Sequence, residues 1–86
     1  MGIWFVYILE CNDGSYYTGI TRDLDRRVDE HKNGKGAKYT KMKGAKGLLW
    51  SMSCGNRSTA LKREANIKSL SRPQKKLLML QAGTFF

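Results

Sequence analysis

Trp4-Phe5-Val6-Tyr7-Ile8-Leu9-Glu10-Cys11-Asn12-Asp13-Gly14-Ser15-Tyr16-Tyr17-Thr18-Gly19-Ile20-Thr21 is the stretch on which the fold turns. From Ile3 to Cys11 nearly every residue is β-branched, aromatic or aliphatic, which reads as a strand. Asn12-Asp13-Gly14 interrupts it, and Ser15 to Thr21 reads as the returning strand. Asp-Gly between two such runs is a strong hairpin signal. Two registers compete. A two-residue loop at Asp13-Gly14 pairs Tyr7 with Ile20 and sends Tyr17 to the opposite face. A three-residue loop with Gly14 left-handed pairs Tyr7 with Gly19 and makes Tyr7 and Tyr17 diagonal neighbours on one face. In that register Gly19 leaves open space for a ligand to approach the sheet.

Working outward, Thr21 or Asp23 caps a helix that runs to about Asn33, where Asn33-Gly34 stops it. Residues 33–47 are rich in glycine and lysine and read as a mobile basic loop, with Tyr39 its one aromatic residue. Leu48 to Ser53 is a third strand. Asn56 or Ser58 opens a second helix through about Leu70. Ser71-Arg72-Pro73 starts a third helix ending at Gly83. The order β-β-α-β-α-α implies an α+β fold, a small three-stranded antiparallel sheet flanked by helices.

The 86 residues suffice for one domain, 1–86, with a modest core, since a chain of this size buries about two-thirds of its unfolded surface. Hydrophobic residues make up 41% and aromatics 10%, which argues for a packed interior. Sixteen Lys and Arg against seven Asp and Glu leave a net charge of +9, a field that attracts polyanions. No apolar run reaches the roughly 18 residues of a membrane span, and Met1 to Leu9 lacks the basic start and cleavage site of a signal peptide. Cys11 and Cys54 are too few for a disulfide framework, and with one histidine they build no zinc finger. The expectation is a cytoplasmic, cationic protein, monomeric and without membrane contact.

The helices carry polar residues where apolar ones belong. In the first, Leu24, Arg27, Val28 and His31 fall on one stripe, so Arg27 and His31 point inward. In the second, Ala60, Leu61, Glu64, Ile67 and Ser71 share a face with Glu64 near its centre. A buried carboxylate needs a cation, either an arginine or a metal ion. The plain alternative is a Glu64–Arg27 ion pair that only knits the two helices together. Taken with the charge, one Arg, one His and one Glu converging make a candidate anion and metal site.

Val6-Tyr7-Ile8, Tyr17-Thr18-Gly19, Arg27 in a Leu-x-x-Arg helix and Glu64 on a later helix together resemble the GIY-YIG nuclease domain. The tripeptides stand about ten residues apart, and Arg27 follows the second glycine by eight. The similarity extends from about Ile3 to Leu70, and Gly-Lys-Gly-Ala-Lys-Tyr and Ala-Leu-Lys-Arg-Glu fit small stand-alone bacterial members. The resemblance implies hydrolysis of DNA phosphodiester bonds at a single Mg2+ or Mn2+, held by Glu64 as its one protein ligand. It implies that Arg27 holds the scissile phosphate, and that Tyr7 and Tyr17 position the attacking water, one of them serving as general base. The choice between them stays open, with Tyr17 preferred. His31 matches a position of His or Tyr in relatives and assists proton transfer. Ile20 stands where excision-repair relatives carry a lysine, and Lys76 where they carry an asparagine. The loss of that lysine makes His31 more important.

The basic loop and helix ends supply candidate nucleic-acid contacts at Lys35, Lys38, Tyr39, Lys41, Arg63 and Lys68. Tyr39 and Trp50 are candidates to stack on unpaired bases, Trp50 being the better candidate for the core. With no appended reading domain, low sequence specificity follows, on single-stranded or structured DNA, or on RNA. The competing reading is a nucleic-acid-binding module on the same fold without turnover. A third is a subunit that docks into a larger repair complex and is inactive alone.

Overall fold

The computed structural model describes residues 2–81 and the backbone of 84–85. The hairpin adopts the three-residue register. β1 (Trp4–Cys11) pairs antiparallel with β2 (Tyr16–Thr21), Tyr7 opposite Gly19 and Leu9 opposite Tyr17. Gly14 takes φ +84°, and its N–H donates to the Cys11 carbonyl at 2.9 Å. This is a turn closed by a left-handed glycine, which sets the register of every residue behind it.

Helix α1 (Leu24–Lys32) follows, with Asp23 as its N-cap accepting from the Arg26 N–H at 3.2 Å. Residues 33–47 differ from the mobile loop expected of them. They hold a short helix, α2 (Lys38–Lys43), closed by Gly44 at φ +77°, and the start of the next strand. The glycines that suggested mobility instead bracket the helix. Its stability comes from tertiary anchors: Tyr39 Oη donates to Ser15 Oγ at 2.8 Å, and Lys43 pairs with Asp13 at 3.0 Å. A six-residue helix does not stand on propensity alone.

β3 (Ala45–Cys54) is longer than the Leu48–Ser53 expected, and pairs antiparallel along the other edge of β1. α3 (Arg57–Lys68) is capped by Asn56, whose side chain accepts from the Thr59 N–H at 2.8 Å. α4 (Arg72–Gln81) opens with a reciprocal pair: Ser71 N–H donates to Gln74 Oε1 at 2.8 Å, and Gln74 N–H to Ser71 Oγ at 3.3 Å. The stop expected at Gly83 lies outside the described residues. A two-residue β4 (Thr84–Phe85) adds to the edge of β3, so the sheet order is β2-β1-β3-β4 around the expected three-stranded core.

β1 lies inside the sheet, and Val6, Tyr7, Ile8 and Leu9 are all buried, which explains a strand apolar without alternation. One face carries Val6, Ile8 and Trp50 against Ala60 and Ile67 of α3 and Met79 of α4. Trp50 is therefore core, closed off from stacking with bases. The other face carries Tyr7 and Tyr17 beneath His31 of α1. Among the described residues no helix is long and apolar enough to cross a membrane.

Replacing Gly14 with alanine forces a side chain into the left-handed region at φ +84°. We expect Gly14→Ala to cost about 1–2 kcal/mol, read as a lower urea midpoint with an unchanged slope. A wild-type midpoint would show that the turn does not hold the register.

Candidate active site

The site forms at the exposed edge of β2, where β1 presents Tyr7, α1 presents Arg27 and His31, and α3 presents Glu64. Tyr7 reaches across β2 over Gly19. A Cβ on Gly19 would lie 2.5 Å from Tyr7 Oη and 3.2 Å from the Tyr17 ring. The space over Gly19, expected to be open to a ligand, is thus filled by the Tyr7 phenol itself. Glycine is required there so that the hydroxyl can lie against the backbone.

Tyr7 Oη lies 2.8 Å from His31 Nε2, and His31 Nδ1 lies 2.6 Å from Thr40 Oγ1. The Thr40 hydroxyl donates its one proton to the Ala37 carbonyl at 3.0 Å. It therefore accepts from His31, so Nδ1 carries the imidazole proton and Nε2 is the bare acceptor. It follows that Tyr7 donates to His31. His31 is 1% exposed, and burial, reinforced by the Arg27 charge, lowers its pKa to about 4. Burial likewise raises Tyr7 to about 12, with Tyr17 and Glu64 adding to the rise and a hydrogen bond from Arg27 opposing it. Gly36 permits the arrangement, since a Cβ there would collide with His31.

Tyr17 contributes ring contacts. Its centroid stands 6.4 Å from Tyr7, 5.1 Å from His31 and 6.1 Å from Tyr39, on which it stacks. Arg27 is half-buried and pairs with Glu30 at 3.0 Å, which holds the Glu30 carboxyl below its ordinary pKa. Glu64, half-buried on α3 between Ala60 and Ile67, pairs with Lys68 at 3.4 Å. The Glu64–Arg27 ion pair weighed from sequence does not form. Each partner has a nearer mate on its own helix, at i,i+3 and i,i+4.

The structure thus brings Tyr7, Tyr17, Arg27 and His31 into contact, with Glu64 close enough to act on the Tyr7 charge. Of the candidate nucleic-acid contacts, Tyr39 and Lys68 meet Tyr17 in a cleft of about 210 Å³ that Lys75 completes. Lys35, Lys38, Lys41 and Arg63 are exposed on the surface outside that cleft. Sequence reasoning missed Thr40, which fixes the imidazole, and Glu30, which holds Arg27. Thr40 lay in the supposed loop, and Glu30 looked like part of a solvated face.

Comparison with known proteins identifies the family and the fold. A sequence model of the GIY-YIG catalytic domain matches residues 3–77. The chain belongs to the GIY-YIG family. It is 52% identical over 79 residues to the UPF0213 protein SERP0126 of Staphylococcus epidermidis, covering 92% of this chain and 95% of that one. It is 43% identical over 82 residues to the UPF0213 protein YhbQ of Escherichia coli, covering 95% and 82%. The solution NMR structure of the UPF0213 protein BH0048 from Bacillus halodurans superposes with a TM-score of 0.61 at 44% identity, covering 94% of this chain and 86% of that one. That of EF2693 from E. faecalis gives 0.61 at 35% identity, covering 93% and 86%. The family is of a nuclease type and implies interaction with nucleic acid.

A buried neutral histidine couples this GIY-YIG fold to pH. The unfolded chain takes up a proton near pH 6.5, whereas the folded one resists until about pH 4. Stability from this group is therefore complete above pH 6.5 and falls across the window below it, by about 3 kcal/mol in all. His31→Gln should flatten the decline between those limits in urea titrations at stepped pH. An unchanged decline would place the acid sensitivity elsewhere.

Proposed function

We propose that this protein is a metal-dependent endonuclease that hydrolyses DNA phosphodiester bonds, with low sequence specificity and a preference for single-stranded or structured substrates. The observation that carries the reading is the buried Tyr7–His31–Thr40 chain ending beside Arg27 and Glu64. A neutral imidazole with its free nitrogen aimed at a phenol has the form of a proton acceptor rather than of a packing residue.

Arg27 binds the scissile phosphate, exchanging Glu30 for a substrate oxygen, and opposes the charge that builds on phosphorus. Tyr7 is the general base in this reading. The attacking water gives a proton to Tyr7 Oη while Tyr7 passes its own to His31 Nε2. The water oxygen bonds to phosphorus, and the opposite P–O bond breaks, its oxygen leaving with the electron pair and taking a proton from solvent. Burial disfavours both an ionised Tyr7 and a protonated His31 in the free protein, so full transfer of the Tyr7 proton to His31 ahead of attack is uphill. The two transfers are therefore concerted, and the phosphate charge raises the basicity of His31 as it binds. Tyr17 packs the imidazole and shapes the water site.

The donor set at Glu64 fits a hydrated divalent cation: one partly buried carboxylate, with the exposed Lys68 ammonium as its present partner. Bound there, Mg2+ or Mn2+ supplies positive charge that lowers the Tyr7 pKa and stabilises the phosphate. The Tyr17–Tyr39 stack beside Lys68 and Lys75 supports the preference for unpaired strands, because exposed rings take bases of any sequence.

The test is cleavage of labelled single-stranded, duplex and branched DNA with Mg2+ or Mn2+. Glu64→Ala should abolish metal-dependent cutting and retain binding. Tyr7→Phe should lower kcat by about 10²–10⁴-fold, and His31→Ala should follow it, while Tyr17→Phe costs less. A Tyr17→Phe loss larger than that of Tyr7→Phe would reverse the assignment of the base. Salt-sensitive binding with no cutting of any substrate would refute the nuclease reading and leave a binding module.

A further inference from the structure

We infer that a groove running from Arg27 past Arg22 and Trp4 to Arg57 binds the phosphate backbone of the cleaved strand on one side of the scissile bond. The inference rests on the nuclease reading above and adds where that strand lies.

Two concavities join end to end beside the site. The nearer, about 370 Å³, is bordered by Arg27, Arg26, Arg22 and Trp4. The farther, about 460 Å³, shares Trp4 and Arg22 and ends at Asn56 and Arg57. The wall common to both is thus an indole and a guanidinium, and the path is continuous from the phosphate-binding Arg27 to the first turn of α3.

Charge within the groove is unevenly spent. Outside it, Lys43 pairs with Asp13, Lys46 with Glu10 and Lys68 with Glu64. Arg26 and Arg27 share Glu30. The other carboxylate lining the groove, Asp23, is engaged in capping α1. Arg22 and Arg57 have no ion-pair partner among the described residues. Two unpaired guanidiniums in a continuous furrow present donors to an anion at little desolvation cost.

Arg57 is also held in place. Arg57 stacks on the Trp4 ring with its guanidinium carbon 5.7 Å from the centroid. Arg22 lies over Gly2, where a Cβ would approach its guanidinium to 3.1 Å. Holding a long side chain in its bound pose beforehand lowers the entropy lost on binding.

Spacing fixes which phosphate is read. Arg57 precedes Glu64 by seven residues on one face of α3, about 10.5 Å along the helix axis at 1.5 Å per residue. A stacked strand carries one phosphate per roughly 3.4 Å of axis. A strand that runs alongside α3 from a scissile phosphate at Glu64 would bring the phosphate about three steps away to Arg57. An apolar ligand would leave the guanidiniums unused, and an isolated phosphate would engage one of them only.

The test is binding to single-stranded and duplex DNA without divalent ions, by fluorescence anisotropy over a salt series. Arg22→Gln and Arg57→Gln keep much of the side-chain stem and remove the charge. Each should lower the slope of log K against log salt by about 0.7–0.9, and the double variant by about twice that. In cleavage assays the double variant should raise KM for oligonucleotides more than it lowers kcat. Independently of any variant, methylphosphonates that neutralise single phosphates should slow wild-type metal-dependent cleavage most when placed about three steps from the cut, on one side only. A wild-type slope in the double variant, or equal sensitivity on both sides of the cut, would overturn the groove. Failure of the wild type to cut, with the slope change intact, would overturn the nuclease reading and leave the groove standing.

Discussion

The buried hydrogen bond from Tyr7 to His31 ties the central strand of the sheet to the first helix, and the site is built around it. It spans 24 residues and lies buried between a central strand and the first helix. Breaking it leaves a phenol and an imidazole nitrogen unsatisfied in the interior, a loss of about 1–3 kcal/mol for each buried group. Every neighbouring feature serves to make it possible. The left-handed Gly14 sets the register that puts Gly19 opposite Tyr7. Gly36 lets the chain pass close to the imidazole. Thr40 accepts the imidazole proton and so fixes which nitrogen faces Tyr7.

Thr40 in turn depends on the tip of the hairpin. Tyr39, the residue before it, donates to Ser15, and Ser15 donates to Asp13 at 2.6 Å. Lys43, at the end of the same short helix, pairs with the other oxygen of Asp13. Asp13 is held well below the ordinary carboxyl range by the Ser15 hydrogen bonds and by Lys43. The turn that begins the sheet therefore also anchors the helix that orients the imidazole, and the proton direction at Tyr7 is set more than a dozen ångströms of chain away from it.

Much of this was readable from sequence, and the boundary is physical. The hairpin, the three main helices and their caps at Asp23, Asn56 and Ser71 rest on local chemistry, a side-chain oxygen beside a free N–H, which a sequence displays directly. Arg27, His31 and Glu64 stood out because charge on an apolar stripe violates the pattern. The register did not follow from composition, because it depends on whether one glycine turns left-handed. α2 was hidden because nothing local favours it: its stability resides in Tyr39, Thr40 and Lys43, whose partners lie on other elements. The Glu64–Arg27 pair, weighed as one alternative, does not form for the opposite reason, since each residue has a partner one helical turn away on its own helix.

The surface around the site is asymmetric, and that asymmetry bears on specificity. On one side stand stacked tyrosines with two lysines, and on the other arginines laid along an indole. Rings and point charges read stacking and phosphate, and neither distinguishes one base from another. The protein measures about 30 Å in its longest dimensions, enough to follow roughly nine phosphates of a stacked strand. Three of the helices already have tasks at the site: α1 holds His31, α3 packs on the core and carries Glu64, and α2 anchors to the hairpin tip. On the nuclease reading proposed above, a domain built this way would select its substrate by backbone path and by the availability of unpaired bases. Sequence preference would require contacts beyond rings and point charges.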